Sequence, residues 1–372
     1  MFFIHIYFSL YNLHPMMNDF SVRLIRWYNI HKRDLPWRKT NDPYLIWISE
    51  IVLQQTRVEQ GLDYFLRFTS RFPNVQTLAE ATTDEVLKLW EGLGYYSRAR
   101  NLHETSKTIV DKHKGVFPDS YNEIIALKGI GEYTASAISS FAFNQPTAVM
   151  DGNVLRVVAR INGIKKDILS SVVKQEVRNQ LAQWIDRKNP GIFNQATMEF
   201  GALHCKPQNP DCKKCIFKKD CIAFNTQCVG SIPFKAIQTK IKERYFNYLL
   251  IHVNVKKEVF IPVHKRTGND IWKGLYELPL IETKQHNSLK KLYQSRGWKA
   301  LFKGVDYEIV KESEMIFHQL SHRTLHTRFI EVNTNKIIKG FDQIKYELVK
   351  PTKLKSLAFP VLITRYLGNA VG

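Results

Sequence analysis

Two carboxylates in contrasting surroundings could carry acid–base chemistry in this chain. Glu50 lies in the apolar run 46–53, where burial would raise its pKa and make it a proton donor near neutral pH. Asp151 precedes Gly152 at a position that would cap a helix, and the positive helix end would keep it ionised. A neutral acid paired with an anion can break a glycosidic bond. The alternatives are a Glu on the polar stripe of a helix and an Asp that serves only as a cap.

Four of the five cysteines lie between residues 205 and 221, with the spacing C-x6-C-x2-C-x5-C. Thiolates this close together can bind one metal centre, and their clustering in a chain without a secretion signal indicates a reducing compartment. The spacing leaves both a structural zinc and an iron–sulfur cluster open. Cys228 falls outside the spacing and is predicted to be free. The predicted ligands are Cys205, Cys212, Cys215 and Cys221.

A glycine-containing turn at 127–131, with the sequence LKGIG, separates two helical patterns. Gly129 and Gly131 would let the backbone turn tightly and approach another molecule without a Cβ in the way. The helix that follows would present free N–H groups to an anion. The alternative is a plain packing corner between two helices.

The charge balance indicates a polyanionic partner. The chain has 54 Lys and Arg against 34 Asp and Glu, a formal charge of +20, and each cation that meets a phosphate releases counterions. No apolar run reaches the roughly 20 residues of a membrane span. The apolar segment 1–15 lacks the features of a signal peptide, so we interpret residues 1–18 as an upstream extension or as the result of a start codon assigned too early, and we predict a cytoplasmic, nucleoid-associated protein.

The elements that must position these residues are helical in the first half. Asn41-Asp42-Pro43 predicts a helix start, followed by one continuous helix over 44–68. After Tyr245 the pattern changes to alternating β-branched and aromatic residues, which predicts strands, including one at 326–332, and a helix at 287–297. Further helices are predicted at 83–90, 98–113, 120–128, 132–143, 152–161, 171–187 and 193–204.

Five motifs in this order resemble the MutY-type adenine DNA glycosylases of the endonuclease III superfamily. They are SEIVLQQTRV, WEGLGYYSRARNL, GIGEYTASAI, DGNVLRV and the cysteine loop, and they span about residues 19–225. The resemblance implies a mainly α helix–hairpin–helix glycosylase domain, a 4Fe–4S cluster on the four cysteines and removal of adenine mispaired with 8-oxoguanine or guanine. The family's L-P-G-I-G turn reads L-K-G-I-G here.

The resemblance also implies individual roles. Glu50 would protonate adenine at N7, and Asp151 would stabilise the oxocarbenium ion or trap it covalently, with support from Tyr133 and Asn153. Arg38 and Gln195 fall where the family contacts the flipped adenine, a base that must first leave the stack. Gln55 and Tyr95 match residues inserted into the duplex beside the lesion.

Endonuclease III is the alternative within the same fold. That family has a nucleophilic Lys at the position of Tyr133, and a phenol cannot form a Schiff base. Leu155 stands where some MutY proteins carry a Lys. We therefore predict little or no strand-cleaving lyase activity.

The C-terminal half resembles the Nudix-like domain of the MutY family through WKGLYELP at 272–279. The acidic run that binds metal in Nudix hydrolases is missing, so the domain is expected to bind rather than cleave. Ser321 and His322 match the polar members of the family's Phe-Ser-His loop, which reads 8-oxoguanine, while Leu320 replaces its Phe. His318, His322 and His326 have helical metal-site spacing, but the surrounding residues do not indicate a helix.

The predicted organisation is an extension at 1–18, a helical domain at 19–225, a linker at 226–244 and an α+β Nudix-like domain at 245–368. We predict a monomer that binds double-stranded DNA with A:8-oxoguanine or A:G mispairs and does not bind membranes. Two rivals remain at this point: a non-catalytic iron–sulfur DNA-binding protein and a zinc-structured transcription factor.

Overall fold

The computed structural model describes residues 14–236, 241–338 and 346–370. The predicted extension at 1–18 lies partly outside these residues, and a helix begins at His14. The helices of the first half are α1 (His14–His31), α2 (Pro43–Leu53), α3 (Val58–Arg71), α4 (Val75–Glu80), α5 (Thr83–Leu89), α6 (Ser97–His113), α7 (Tyr121–Ile125), α8 (Glu132–Phe143), α9 (Gly152–Ile161), α10 (Ser171–Trp184), α11 (Pro190–Leu203) and α12 (Ile222–Asn225). The seven helices α5 to α11 agree with the predicted positions to within three residues.

The second half contains a mixed sheet with short helices, and the predicted helix at 287–297 is two short helices. The strands are β1 (Lys242–Val255), β2 (Glu258–Lys265), β3 (Tyr276–Glu277), β4 (Leu280–Thr283), β5 (Tyr307–Glu312), β6 (Ile316–Leu320), β7 (Arg323–Thr334) and β8 (Glu347–Val349). The helices are α13 (Leu289–Tyr293), α14 (Arg296–Leu301), α15 (Pro351–Leu354) and α16 (Val361–Ala370). None of the described helices combines the length and apolar character that crossing a membrane requires.

The chain divides into two compact units. Among the described residues, the first comprises 14–80 and 101–236, and the second comprises 81–100, 241–338 and 346–370. The segment 81–100, which carries α5, therefore packs with the strands, although it lies inside the predicted helical domain. The predicted domain boundaries remain a proposal.

The helix predicted over 44–68 is wrong as one element. The Asp42 side chain accepts a hydrogen bond from Tyr44 N at 2.8 Å and begins α2 as predicted, but this helix ends at Leu53 and α3 starts at Val58. Gln55 between them has a φ of 57°, in the left-handed region that a helix cannot contain. The break separates the Glu50 helix from an amphipathic helix with a different packing face.

The core of the first unit forms where α1 and α9 to α11 meet. Leu24, Val157, Val177 and Phe193 are fully buried in this cluster. Phe20 stacks on Trp184 and on Phe217, with ring centroids 4.1 and 4.4 Å apart, so the N-terminal helix holds part of the cysteine loop.

The sheet of the second unit is covered on both faces. Its path is β3-β2-β1-β7-β5, with β1 and β7 parallel and β4, β6 and β8 attached to β1, β7 and β2 respectively. Phe246, Tyr248 and Leu250 point to one core, and Leu249 and Ile251 point to the other. Because side chains alternate along a strand, two apolar covers require the unbroken buried run seen in β1.

Candidate active site

Glu50 is a buried carboxyl group on α2. Its side chain is 5% exposed, and Tyr133 donates a hydrogen bond from its hydroxyl to Glu50 Oε2 at 2.5 Å. Burial is the main cause that raises the pKa of Glu50, the negative charge of Asp151 also raises it, the Tyr133 hydroxyl and Arg38 lower it, and the resulting pKa is about 7. Glu50 therefore does not lie on an exposed polar stripe, and it can hold a proton near neutral pH.

Asp151 caps α9 as predicted from its position. Its Oδ1 accepts from Val154 N at 2.7 Å, and its Oδ2 accepts from Asn153 Nδ2 at 2.8 Å. Burial nevertheless raises the pKa of Asp151 above its ordinary value, against these two donors. The helix-cap position alone predicts a lowered pKa for Asp151. The pKa is raised instead, because the cap position is buried.

The two carboxyl groups line one cavity of about 660 Å³ within the first unit. A volume of this size suits a small-molecule or nucleobase ligand. The other predicted site residues that line it are Arg38, Tyr133, Asn153 and Gln195. The sequence-predicted catalytic and adenine-contacting residues thus meet in one place, and Tyr133 and Asn153 contact different carboxylates.

Glu199 is a residue of this cavity that sequence reasoning missed. Its side chain is 1% exposed and accepts paired hydrogen bonds from both Arg38, at 2.8 and 2.9 Å, and Arg33, at 2.6 and 3.0 Å. Burial opposes its charge, but the two guanidinium groups lower the pKa of Glu199 to about 2. Gln195, one turn earlier on α11, accepts from Tyr28 at 2.6 Å. The spacing of 195 and 199 on one helical face was the available signal.

A second cavity, of about 540 Å³, lies within the second unit. Tyr95, Ser321 and His322 line it, and the hydroxyl groups of Tyr95 and Ser321 are hydrogen-bonded to each other. Ser321 and His322 form the turn between β6 and β7, so the three histidines at 318, 322 and 326 lie on a hairpin and not on a helix. Gln55 is not among the residues that line either cavity.

The glycines of the 127–131 turn differ in their surroundings. Gly129 has a φ of 77°, and a Cβ there would approach Asn101 Cβ to 2.6 Å. Gly131 precedes α8 with a φ of −98°, and a Cβ there would meet nothing within 4 Å. Only Gly129 is required by the fold of the turn itself.

The four clustered cysteines line one small cavity of about 20 Å³, next to α9 and α11. Arg160 donates to Cys205 Sγ at 3.4 Å, and Phe217 N donates to Cys215 Sγ at 3.4 Å. In the described parts of the chain, no group of three or more His, Cys, Asp or Glu side chains is arranged to hold a metal ion. Cys228 is half-buried and lies outside this cavity.

Comparison with known proteins gives two family matches. Residues 48–186 match the HhH-GPD superfamily of base excision DNA repair proteins, and residues 248–369 match the NUDIX domain. The chain is 34% identical over 355 residues to the adenine DNA glycosylase of Buchnera aphidicola subsp. Acyrthosiphon pisum, covering 94% of this chain and 97% of that protein. The chain belongs to the adenine DNA glycosylase family. It is therefore a DNA glycosylase, an enzyme of base excision repair.

The chain is also similar to a mammalian adenine DNA glycosylase and to two solved structures of other proteins. The adenine DNA glycosylase of Mus musculus is 43% identical over 237 residues, covering 61% of this chain and 46% of that protein. A solved thermostable thymine-DNA glycosylase aligns with a TM-score of 0.54 at 26% identity, covering 57% of this chain and 99% of its own. Endonuclease III in a non-covalent DNA complex shares the fold at 22% identity and a TM-score of 0.50, covering 57% of this chain and 97% of its own. The endonuclease III superfamily is generally known to carry a 4Fe–4S cluster.

Proposed function

We propose that this member of the adenine DNA glycosylase family removes adenine mispaired with 8-oxoguanine or guanine in duplex DNA. The observation that carries the proposal is the shared cavity of Glu50 and Asp151, in which the two carboxyl groups have different partners. The similar proteins are named adenine DNA glycosylases, which favours adenine as the excised base. The formal charge of +20 favours binding to the negatively charged DNA backbone.

Glu50 is the general acid in this proposal. A pKa of about 7 leaves about half of the Glu50 side chains protonated at neutral pH, which suits a donor to a leaving base. Glu50 donates its proton to N7 of adenine, the C1′–N9 bond then breaks with its electron pair on adenine, the oxygen of a water molecule adds to C1′, and the proton of that water returns to the Glu50 carboxylate. Protonation before departure means that adenine leaves as a neutral base.

Asp151 stabilises the positive charge that develops on the sugar. Its two N–H donors favour the charged form, and its negative charge is one of the causes that raise the pKa of Glu50. Asn153 holds Oδ2 in place. Tyr133 contacts Glu50 instead, so its hydroxyl orients the acid, and a phenol at this position supports the expectation of little or no lyase activity.

The flipped adenine would be recognised by Arg38, Gln195 and the buried Glu199. Because Tyr28 donates to the carbonyl oxygen of Gln195, the amide NH₂ of Gln195 is oriented toward other acceptors. Gly129, Gly131 and Gln55 would contact the DNA outside this cavity. The second cavity, with Tyr95, Ser321 and His322, would receive the base opposite adenine.

The four cysteines would hold a 4Fe–4S cluster. Their side chains supply four sulfur donors to one cavity, which is the donor set that such a cluster requires. The donor set alone suits zinc as well, and the 4Fe–4S cluster generally known in the endonuclease III superfamily favours the cluster over zinc. When bound, the cluster would act as a structural cross-link of the loop. About four iron atoms per chain and a brown colour are expected, whereas one zinc in a colourless protein would contradict this assignment.

The decisive experiment measures adenine release from A:8-oxoguanine and A:G duplexes, with an oxidised-pyrimidine duplex as the control substrate. Asp151→Asn and Glu50→Gln preserve shape and are expected to reduce the single-turnover rate by at least about 100-fold. Undiminished excision by Asp151→Asn would exclude the proposed chemistry and leave a DNA-binding role. Release of the oxidised pyrimidine with strand cleavage would favour an endonuclease III activity.

A further inference from the structure

Three hydrogen bonds border the cavity of the second unit. Tyr95 contacts Ser321, Arg323 donates to Asp270 Oδ1 at 3.1 Å, and Arg100 donates to the carbonyl oxygen of Lys273 at 2.6 Å. These contacts join three parts of the chain: the segment 95–100, the loop after β2, and the turn between β6 and β7. The cavity wall is therefore built from segments far apart in sequence.

Asp270 is the residue in this cavity wall that accepts hydrogen bonds from three arginines. It accepts from Arg244 Nη1 at 2.7 and 2.9 Å, from Arg266 Nη2 at 3.0 Å and from Arg323 Nη1 at 3.1 Å. Burial opposes its charge, but the Arg244 guanidinium, the Ile271 backbone N–H and the charge of Arg266 hold the pKa of Asp270 below its usual range. Charge-assisted bonds of this kind are stronger and shorter than neutral ones, so Asp270 ties three segments together.

The loop that carries Asp270 has an unusual backbone. Trp272 has a φ of 61° and Gly274 a φ of 85°. Two backbone bonds close the loop, from Arg266 N to Leu275 O at 2.9 Å and from Gly274 N to Arg266 O at 2.7 Å. A bulky residue such as Trp272 takes a left-handed conformation only where its surroundings enforce it. Asp270 and Trp272 both line the cavity.

Arg323 connects Asp270 to the turn between β6 and β7. It follows His322 directly, its backbone pairs with Lys242 at the first step of β7, and its guanidinium is held by Asp270. Among the described residues, Asp270 is its one acidic partner. The position of Ser321 and His322 is thus fixed on one side by Tyr95 and on the other by the Asp270–Arg323 pair.

We propose that Asp270 is a positioning residue for opposite-base recognition, because it holds Arg323 and with it the Ser321-His322 turn. This inference rests on the proposed function of the second cavity. It assigns a specificity role to a side chain outside the turn, and it predicts that the Asp270 charge matters for the base opposite adenine and not for bond cleavage.

Asp270→Asn removes the charge and keeps the shape. Single-turnover adenine release is measured on A:8-oxoguanine and A:G duplexes, and binding is measured on the same duplexes with a non-cleavable 2′-fluoro-adenosine. The preference for 8-oxoguanine over guanine should fall about tenfold in both measurements, because small misplacements of contacting groups have large effects. The rate on A:G should stay within about twofold of the parent rate.

Glu282→Gln is the matched control. Glu282 also binds Arg244, at 2.7 and 2.8 Å, but it does not contact Arg323, so its loss should leave the preference unchanged. Arg323→Met, at a residue about one-third exposed, tests the same link if Asp270→Asn does not fold. An equal loss on both duplexes, or an unchanged preference in both variants, would overturn the positioning role. Release of adenine by the parent protein tests the proposed function separately.

Discussion

The hydroxyl of Tyr133 lies 2.5 Å from Glu50 Oε2, and it is the side-chain donor that the buried acid has on α8. The Tyr133 hydroxyl stays protonated, because burial and the neighbouring carboxylates raise its pKa well above the ordinary value. A neutral donor beside a buried carboxyl group stabilises the charged form of that group, so Tyr133 opposes the effect of burial on Glu50.

Tyr133→Phe should therefore raise the pKa of Glu50 above about 7. The acid acts in its protonated form, so the single-turnover rate should fall as pH rises through this pKa, and the falling limb should move to higher pH in the variant. Tyr28→Phe is the control, because it removes a buried hydroxyl from Gln195 and leaves Glu50 untouched. An identical pH profile in Tyr133→Phe and parent would show that the hydrogen bond does not tune the acid.

Glu50 should also lower the stability of the folded protein at alkaline pH. Its pKa in the folded state, about 7, exceeds the ordinary value of 4.5. The contribution of protonated Glu50 to the free energy of unfolding is therefore fully present below pH 4.5. It is lost as pH rises through 7, which lowers the free energy of unfolding by about 3 kcal/mol for a shift of this size. Glu50→Gln cannot ionise and should exceed the parent in free energy of unfolding at pH 8, but not at pH 4.5. Urea denaturation at both values would measure the difference, and equal stability at pH 8 would contradict it.

The sequence predicts the local features of this site because they depend on neighbouring residues. Asp42 and Asp151 cap helices by accepting hydrogen bonds from backbone N–H groups two and three residues later in the chain. The cysteine spacing can be read directly from the sequence. The break after Leu53 was not predicted, because residues 54–57 contain no Gly or Pro that would mark it. Gln55 takes a left-handed conformation without the glycine that usually signals one.

Long-range pairings account for the rest of what the sequence does not predict. Glu199 is paired with Arg33 and Arg38, which precede it by more than 160 residues, so the spacing on α11 can indicate its face but not its two partners. The packing of α5 with the sheet depends on contacts such as Lys265 with Asp84, which a motif within residues 19–225 cannot reveal. Tertiary contacts of this kind override local patterns.

Glu199→Gln should lower the free energy of unfolding of the protein. Two arginines lose their shared anion in a site where Glu199 is 1% exposed, and breaking a buried pair costs about 3–5 kcal/mol. The folded-state pKa of about 2 lies below the ordinary 4.5, so the parent's stability is present above 4.5 and is lost as pH falls toward 2. The variant should lack this acid-dependent loss.

Urea denaturation of the parent and Glu199→Gln between pH 2.5 and 7 would measure that difference. Asp211→Asn is a suitable control, since its carboxylate is half-exposed and pairs with Lys214 at 3.8 Å, and exposed pairs contribute little. Parallel stability curves for the parent and Glu199→Gln would show that the two arginines do not depend on Glu199.

Gly129 and Gly131 separate the folding of the hairpin from its contact with DNA. Gly129→Ala adds a Cβ at 2.6 Å from Asn101 Cβ in a backbone of φ 77°, so it should lower the free energy of unfolding by about 1–3 kcal/mol. Gly131→Ala meets nothing within 4 Å and needs no left-handed conformation, so its melting temperature should match that of the parent.

If the backbone at Gly131 approaches a phosphate, the added methyl group should still weaken DNA binding about tenfold in Gly131→Ala, with excision at saturating enzyme unchanged. Binding to a duplex is measured over a range of salt concentrations, because the loss of one phosphate contact lowers the salt dependence as well as the affinity. Parent-like affinity together with parent-like stability would mean that the turn is a packing corner and that Gly131 has no contact with DNA.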